Sequence, residues 1–181
     1  FVGWQIQSKG KSIQKLIQTK ISKLLKEKIL LIGSGRTDSG VHAIEQSAHF
    51  ECKKEIQNID KFLKSVNHFV NDMSVSIINI KKRNINFHAR FSAKQRIYKY
   101  IIFNRLSRPS IEKGRGWHII KELDVTLMKE GAKKLLGTKD FSTFRSSSCN
   151  AKSPIRTMKS IKIKSIKGRI EIQFKSQSFL Q

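Results

Sequence analysis

The sequence predicts an α+β fold on two observations. Apolar stripes of helical period are interspersed with period-two strand patterns, and this strand-and-helix order runs twice along the chain. No linker, low-complexity tract or repeat intervenes. The expected division is residues 1–92, an N-terminal α/β half, and residues 93–181, the incomplete start of a C-terminal α/β half.

Ser12 is placed to cap a first helix, in which Ile13, Leu16, Ile17, Ile21, Leu24 and Leu25 recur on one face. Ile29-Leu30-Leu31-Ile32 follows as a continuous apolar run, the pattern of a buried strand, and Gln46 to Glu51 alternates like another. Ile59, Phe62, Leu63, Val66 and Val70 mark a second helix, and Val75 to Ile80 a strand. In the second half, Ile97 to Phe103 is β-branched and aromatic. Asp124 caps a third helix bearing Leu127, Met128, Ala132, Leu135 and Leu136, with Gly137 at its end. Ile161 and Ile163 alternate with lysines, Lys167-Gly168 turns the chain, and Ile170, Ile172 and Phe174 alternate back. That pattern is a hairpin with one apolar and one cationic face. The chain opens on Phe1 and closes in a strand-like Ser178-Phe179-Leu180-Gln181, so it reads as a piece of a longer protein.

The charge narrows the partners. Lys and Arg number 37 against 13 Asp and Glu, a net charge of +24. Such a field draws polyanions, and nucleic acid fits it better than an anionic membrane. The sequence has no basic amphipathic helix with bulky aromatics and no apolar run of membrane-spanning length. Part of the excess is lysine accompanying abundant Ile and Asn, a bias that genome composition also produces. Cys52 and Cys149 lie far apart with no Cys-x-x-Cys spacing, and no two histidines take helical ligand spacing. The expectation is no metal, reduced thiols and a cytoplasmic protein without a signal peptide.

Residues 33–42, Gly-Ser-Gly-Arg-Thr-Asp-Ser-Gly-Val-His, carry the most chemistry. Gly33, Gly35 and Gly40 bracket Asp38, and glycine lets a substrate approach the main chain closely. Arg36 stands two positions from the carboxylate and favours its ionised form, suited to a nucleophile or base. The residues alone leave a second reading open, in which Asp38 caps an Asx-type turn. Along the strand at 97–103, Arg96, Tyr98 and Tyr100 share a face. Tyr98, beside Arg96, suits stacking on a nucleobase or packing in a core; Tyr100 is read as core. Arg90, Arg96, Arg145, Arg156 and the hairpin lysines could grip phosphate collectively.

The loop resembles the catalytic loop of TruA-type tRNA pseudouridine synthases, whose signature is Gly-Arg-Thr-Asp, a small residue, then Gly-Val-His. Further blocks resemble the same family in the same order: Phe1-Val2-Gly3-Trp4-Gln5, then Phe87-His88-Ala89-Arg90-Phe91-Ser92-Ala93 with Arg96-Ile97-Tyr98-Lys99-Tyr100. Leu135-Leu136-Gly137 through Asp140-Phe141-Ser142-Thr143-Phe144-Arg145 follows, and Arg156-Thr157 stands where the family has Arg-Thr or Arg-Asn. The resemblance implies a central, mostly antiparallel sheet with helices on one face and an RNA cleft on the other. It implies isomerisation of uridine to pseudouridine in the anticodon stem-loop of tRNA, at positions 38, 39 and 40, by a homodimer without cofactor. Asp38 would be the catalytic residue, Arg36 would hold the flipped substrate and Tyr98 would pack on its base. Two rival expectations are a non-catalytic basic RNA-binding module and a synthase acting on other RNA uridines.

Overall fold

Ser12 begins the first helix as expected: its hydroxyl oxygen accepts from the Lys15 N–H at 3.3 Å. Helix α1 then runs Ile13–Leu25 and buries Ile17, Ile21 and Leu25. Helix α2, Ile59–Val70, is capped by the Asn58 side chain and buries Phe62, Val66 and Val70. In this computed structural model, which describes residues 1–147, 149 and 151–180, the chain forms two units, Phe1–Ala93 and the part from Lys94 onward. In the first, α1 packs on α2, and Trp4, Ile29 and Leu31 complete the core.

The first unit holds less strand than its patterns predict. Only Ile32–Gly33 (β1) and Ala48–His49 (β2) pair, antiparallel, with Ile32 opposite His49. Ile29 and Leu31 are 1% and 3% exposed but Leu30 is 65% exposed, so the run presents one face to the core rather than two. Helix α1 takes the place of a neighbouring strand. Gln14, Gln18 and Ser22, four residues apart on one face, meet the backbone of this segment. Gln14 Nε2 donates to the Leu31 carbonyl at 2.7 Å, Gln18 Oε1 accepts from the Leu31 N–H at 3.0 Å, and Ser22 Oγ from the Ile29 N–H at 3.1 Å. The expected strand at Val75–Ile80 is likewise unpaired. Val75, Ile77 and Ile80 pack against the core while Asn67 of α2 holds Ile77, accepting its N–H at 2.7 Å and donating to its carbonyl at 2.9 Å. In both places the alternation reports burial and a side-chain amide satisfies the backbone.

The second unit is built on a five-stranded sheet. Strands β3 (Arg96–Asn104), β4 (Trp117–Ile119), β5 (Gly137–Asp140), β6 (Ile155–Ile166) and β7 (Arg169–Ser176) lie in the order β4-β3-β7-β6-β5. All neighbours are antiparallel except β3 and β4. Helix α3, Val125–Lys134, starts at Asp124, whose Oδ1 accepts from the Thr126 and Leu127 N–H groups, and it packs on β6. Of its predicted stripe Ala132 is buried, while Leu127 and Leu136 are exposed.

The β6–β7 hairpin turns at Lys167-Gly168, both at positive φ, the backbone of a two-residue I′ connection. Register places Ile161, Phe174 and Tyr98 side by side, then Ile163, Ile172 and Tyr100, on the apolar face. The opposite face is not simply cationic. Glu171 sits between Lys99 and Arg169 at 2.9 and 3.0 Å, and the hydrogen bond from Lys99 first, with Arg169 adding to it, holds its carboxyl below the usual range. Of the strand expected at the chain end, Ser178–Leu180 form no strand, and Gln181 lies outside the described residues. Among the described residues no helix is long and apolar enough to cross a membrane.

The alternation at 29–31 is measurable. Ile29→Ala opens a cavity in the first core and should cost about 2–5 kcal/mol. Leu30→Ala, one residue along but exposed, should stay within about 0.5 kcal/mol. Chemical denaturation of both variants checks this: equal losses would mean that the segment is buried on two faces.

Candidate active site

The loop at 33–42 leaves β1 and is fastened by its backbone at several points. Ser34 N–H donates to the Ser47 carbonyl at 2.8 Å, and Gln46 Nε2 to the Gly35 carbonyl at 2.6 Å. From the start of the chain, Trp4 N–H donates to the Thr37 carbonyl at 3.0 Å, and Ser39 Oγ donates to the Phe1 carbonyl at 3.2 Å. Two glycines make this approach possible. A Cβ on Gly3 would stand 2.5 Å from the Thr37 carbonyl oxygen, and Gly3 adopts φ +111°, which L side chains rarely take. A Cβ on Gly33 would stand 2.5 Å from the buried Trp4 indole.

Asp38 is at the apex of this frame. The Val41 N–H donates to the Asp38 main-chain carbonyl at 3.2 Å, closing a tight turn with Gly40 at φ +80°. The carboxylate does not cap that turn. Within its own unit no donor closes on the Asp38 side chain, which is exposed to solvent. Arg36 is exposed as well, and no ion pair joins it to Asp38 among the described residues. The backbone around Asp38 is therefore fixed while its oxygens stay open to an incoming group.

Tyr98 belongs to the second unit, on β3 where that strand pairs with β7 alone, ahead of the stretch that meets β4. It is half-buried, opposite Phe174, and its ring meets Phe179 edge to face at 4.9 Å between centroids. Tyr100 departs from its expected core position. It is 65% exposed, its ring edge-on to Phe174 at 5.9 Å, because this stretch of the apolar face is not covered within the unit. The predicted arginines divide. Arg90 is exposed, in the first unit. Arg96 donates to the Gln177 carbonyl, Arg145 to the Cys149 and Ala151 carbonyls at 2.8 and 2.7 Å, and Arg156 to the Ser153 and Ile155 carbonyls at 2.9 and 2.6 Å. The last three thus brace loops and strand ends.

Sequence inspection did not single out Gln46, or Gly3 and Trp4 as a clamp on the loop. For Gly3 and Trp4 the available signal was their place in the motif of the resemblance at residues 1–5; Gln46 lies in none of its motifs. Open hollows of about 500 Å³ along α1 and about 370 Å³ beside Asn104 are lined by neither Asp38 nor Tyr98. Among the described residues no three His, Cys, Asp or Glu side chains gather as a metal site.

The sequence model of the tRNA pseudouridine synthase family matches residues 1–92 and 132–181, which includes the whole Asp38 loop and its N-terminal clamp. Over 181 residues the chain is 80% identical to a tRNA pseudouridine synthase A of Pelagibacter ubique (strain HTCC1062), covering 100% of this chain and 74% of that protein. It is 41% identical over 181 residues to the protein of the same name from Wolbachia sp. subsp. Drosophila simulans (strain wRi), covering 99% and 74%. The corresponding protein of Anaplasma phagocytophilum (strain HZ) is 40% identical over 183 residues, with 99% and 74% covered. These alignments extend through 93–131, where Tyr98 lies between the two matched blocks. With two ordered blocks of the family matched and such identity along the whole chain, the chain belongs to the tRNA pseudouridine synthase family.

Proposed function

We propose that this chain isomerises uridine to pseudouridine in tRNA, at positions 38, 39 and 40 of the anticodon stem-loop, with Asp38 as the catalytic carboxylate. The observation that carries the assignment is the contrast at Asp38. Its main chain is held from both sides by Trp4 and by its own turn, while its side chain is committed to nothing in its unit. A structural aspartate on a glycine-rich turn spends its oxygens on nearby N–H groups. One that must meet a substrate keeps them available on a fixed support.

The reaction asks for little beyond that. The bond from uracil N1 to ribose C1′ breaks, the base turns, and a bond from C5 to C1′ forms. C5 gives up its proton and N1 ends protonated, so atoms and electrons balance without an oxidant or reductant. An ionised carboxylate can serve by attacking carbon covalently or by removing a ribose proton. The target uridine must first leave its stack, at a cost of a few kcal/mol that is least in a loop. Arg36 is assigned to holding the flipped nucleotide and Tyr98 to packing on its base. Arg90, Arg96, Arg145, Arg156 and the general positive charge contribute to gripping the backbone, and the working enzyme is proposed to be a cytoplasmic homodimer. The names of the relatives at 80% and 41% identity support tRNA as substrate over other RNAs.

Asp38→Asn in the full-length protein should keep tRNA affinity and abolish pseudouridine formation, read as tritium release from tRNA labelled at uracil C5. The amide preserves the shape of the loop and removes the reactive oxygen pair. Turnover retained at more than a small fraction of wild type would end the assignment.

Gly3→Ala tests the support rather than the carboxylate. It should cost about 1–3 kcal/mol through the strained backbone and lower turnover with tRNA affinity nearly kept. Wild-type turnover would show that the clamp from Trp4 does not position Asp38.

For Tyr98, the Phe variant keeps the ring and loses only the hydroxyl. It should bind tRNA and melt like wild type yet turn over far more slowly, whereas Tyr98→Leu should lose affinity and rate together. A fully active Phe variant would remove the hydroxyl from the chemistry.

A further inference from the structure

Residues 87–92 form a tight turn whose amides are all engaged. Ala89 is buried, and its N–H donates to His49 Nδ1 at 3.1 Å. The Arg90 and Phe91 N–H groups both approach His88 Nδ1, at 3.2 and 3.4 Å. Ser92 N–H donates to the His88 carbonyl at 2.7 Å, and the His88 N–H returns to Ser92 Oγ at 3.1 Å. Burial first, and the neighbouring His88 second, hold the His49 imidazole below its usual pKa, against Glu51 and a backbone bond to Ile32 that raise it. The neutral ring is the form whose Nδ1 can accept.

This locked turn displays a large apolar ring to solvent. Phe91 is 78% exposed, although burying a phenyl group stabilises a fold by about 1.5–3 kcal/mol. Its surroundings are aromatic and cationic. The His88 ring lies against it at 4.3 Å between centroids with a 30° tilt, and the Arg90 guanidinium stands 5.9 Å from its centroid. Next to it Arg83 stands 5.7 Å from the Phe87 ring. An exposed aromatic ring on a rigid support, with an arginine over it in a chain of net charge +24, fits a nucleobase that has left its stack, with a phosphate on either side.

We propose that Phe91 is a stacking platform for an unpaired nucleobase of the RNA substrate, with the Arg90 guanidinium, which stands over the ring, turning to the adjoining phosphate. This rests on the function proposed above and adds a second contact in the same unit as Asp38. The platform is selective for single-stranded bases and tolerant of which base, because every base offers a π face.

The test compares full-length wild type, Phe91→Leu and Phe91→Trp in binding an unmodified tRNA transcript, alongside melting temperature and tritium release. The Leu variant should bind about fivefold to a hundredfold more weakly at unchanged melting temperature, and Trp should restore the affinity. Wild-type affinity in the Leu variant overturns the platform. So does a lowered melting temperature in the Leu variant with binding intact, because the ring would then be packed against protein. Should the wild-type protein form no pseudouridine, the proposed function falls. The affinities of the three proteins still decide the platform.

Discussion

The hydrogen bond from the Trp4 N–H to the Thr37 carbonyl, 3.0 Å long, is the contact on which the arrangement of the first unit turns. It joins the start of the chain to the residue before Asp38, and it exists only because Gly3 and Gly33 leave no side chain in the way. The Trp4 indole fills the space against Gly33 and is itself part of the core with Ile17, Ile21 and Ile29. Rigidity is thus transmitted from the α1–α2 core through one buried indole to the loop backbone. The loop needs that support because its two charged side chains give it none: Asp38 and Arg36 are both exposed.

The same economy appears where strands were expected and helices hold the backbone instead. Gln14, Gln18 and Ser22 on α1, and Asn67 on α2, give the extended segments the partners that a sheet would have given. A period-two pattern in sequence states which side chains are buried. It does not state what satisfies the intervening N–H and C=O groups, since a glutamine from 13 residues away serves as well as a strand. That is why the helices and the hairpin were legible and the strands at 29–32 and 75–80 were not. Helix α1 announced itself through Ser12 and its stripe, and the hairpin through Lys167-Gly168 between alternating runs.

The site divides along the same line. Asp38 and its glycines are local in sequence and could be read there. The clamp by Phe1, Gly3 and Trp4 spans more than thirty residues and leaves no periodic trace. Alternation assigns Tyr100 to the apolar face without saying whether anything covers that face, and the ring is exposed there. The predicted arginines carry a role that sequence does not announce: Arg145 and Arg156 each donate to carbonyls of their own neighbourhood, beside the RNA contact proposed for them.

Electrostatics separates the acids by task. Glu27 accepts from the Lys53 and Lys54 N–H groups, Glu171 is shared by Lys99 and Arg169, and Glu112 also meets Arg169. These carboxylates neutralise a small part of a strongly basic chain and fix local geometry; as half-exposed pairs they add little to stability. Asp38 stands apart from them, exposed and committed to no donor in its unit. On the proposed function this is the arrangement that a polyanionic substrate demands. The net charge of +24 overcomes the repulsion a single carboxylate would feel from RNA. The nucleotide then excludes the water that Asp38 otherwise faces, so the strong local field arises only when substrate is bound.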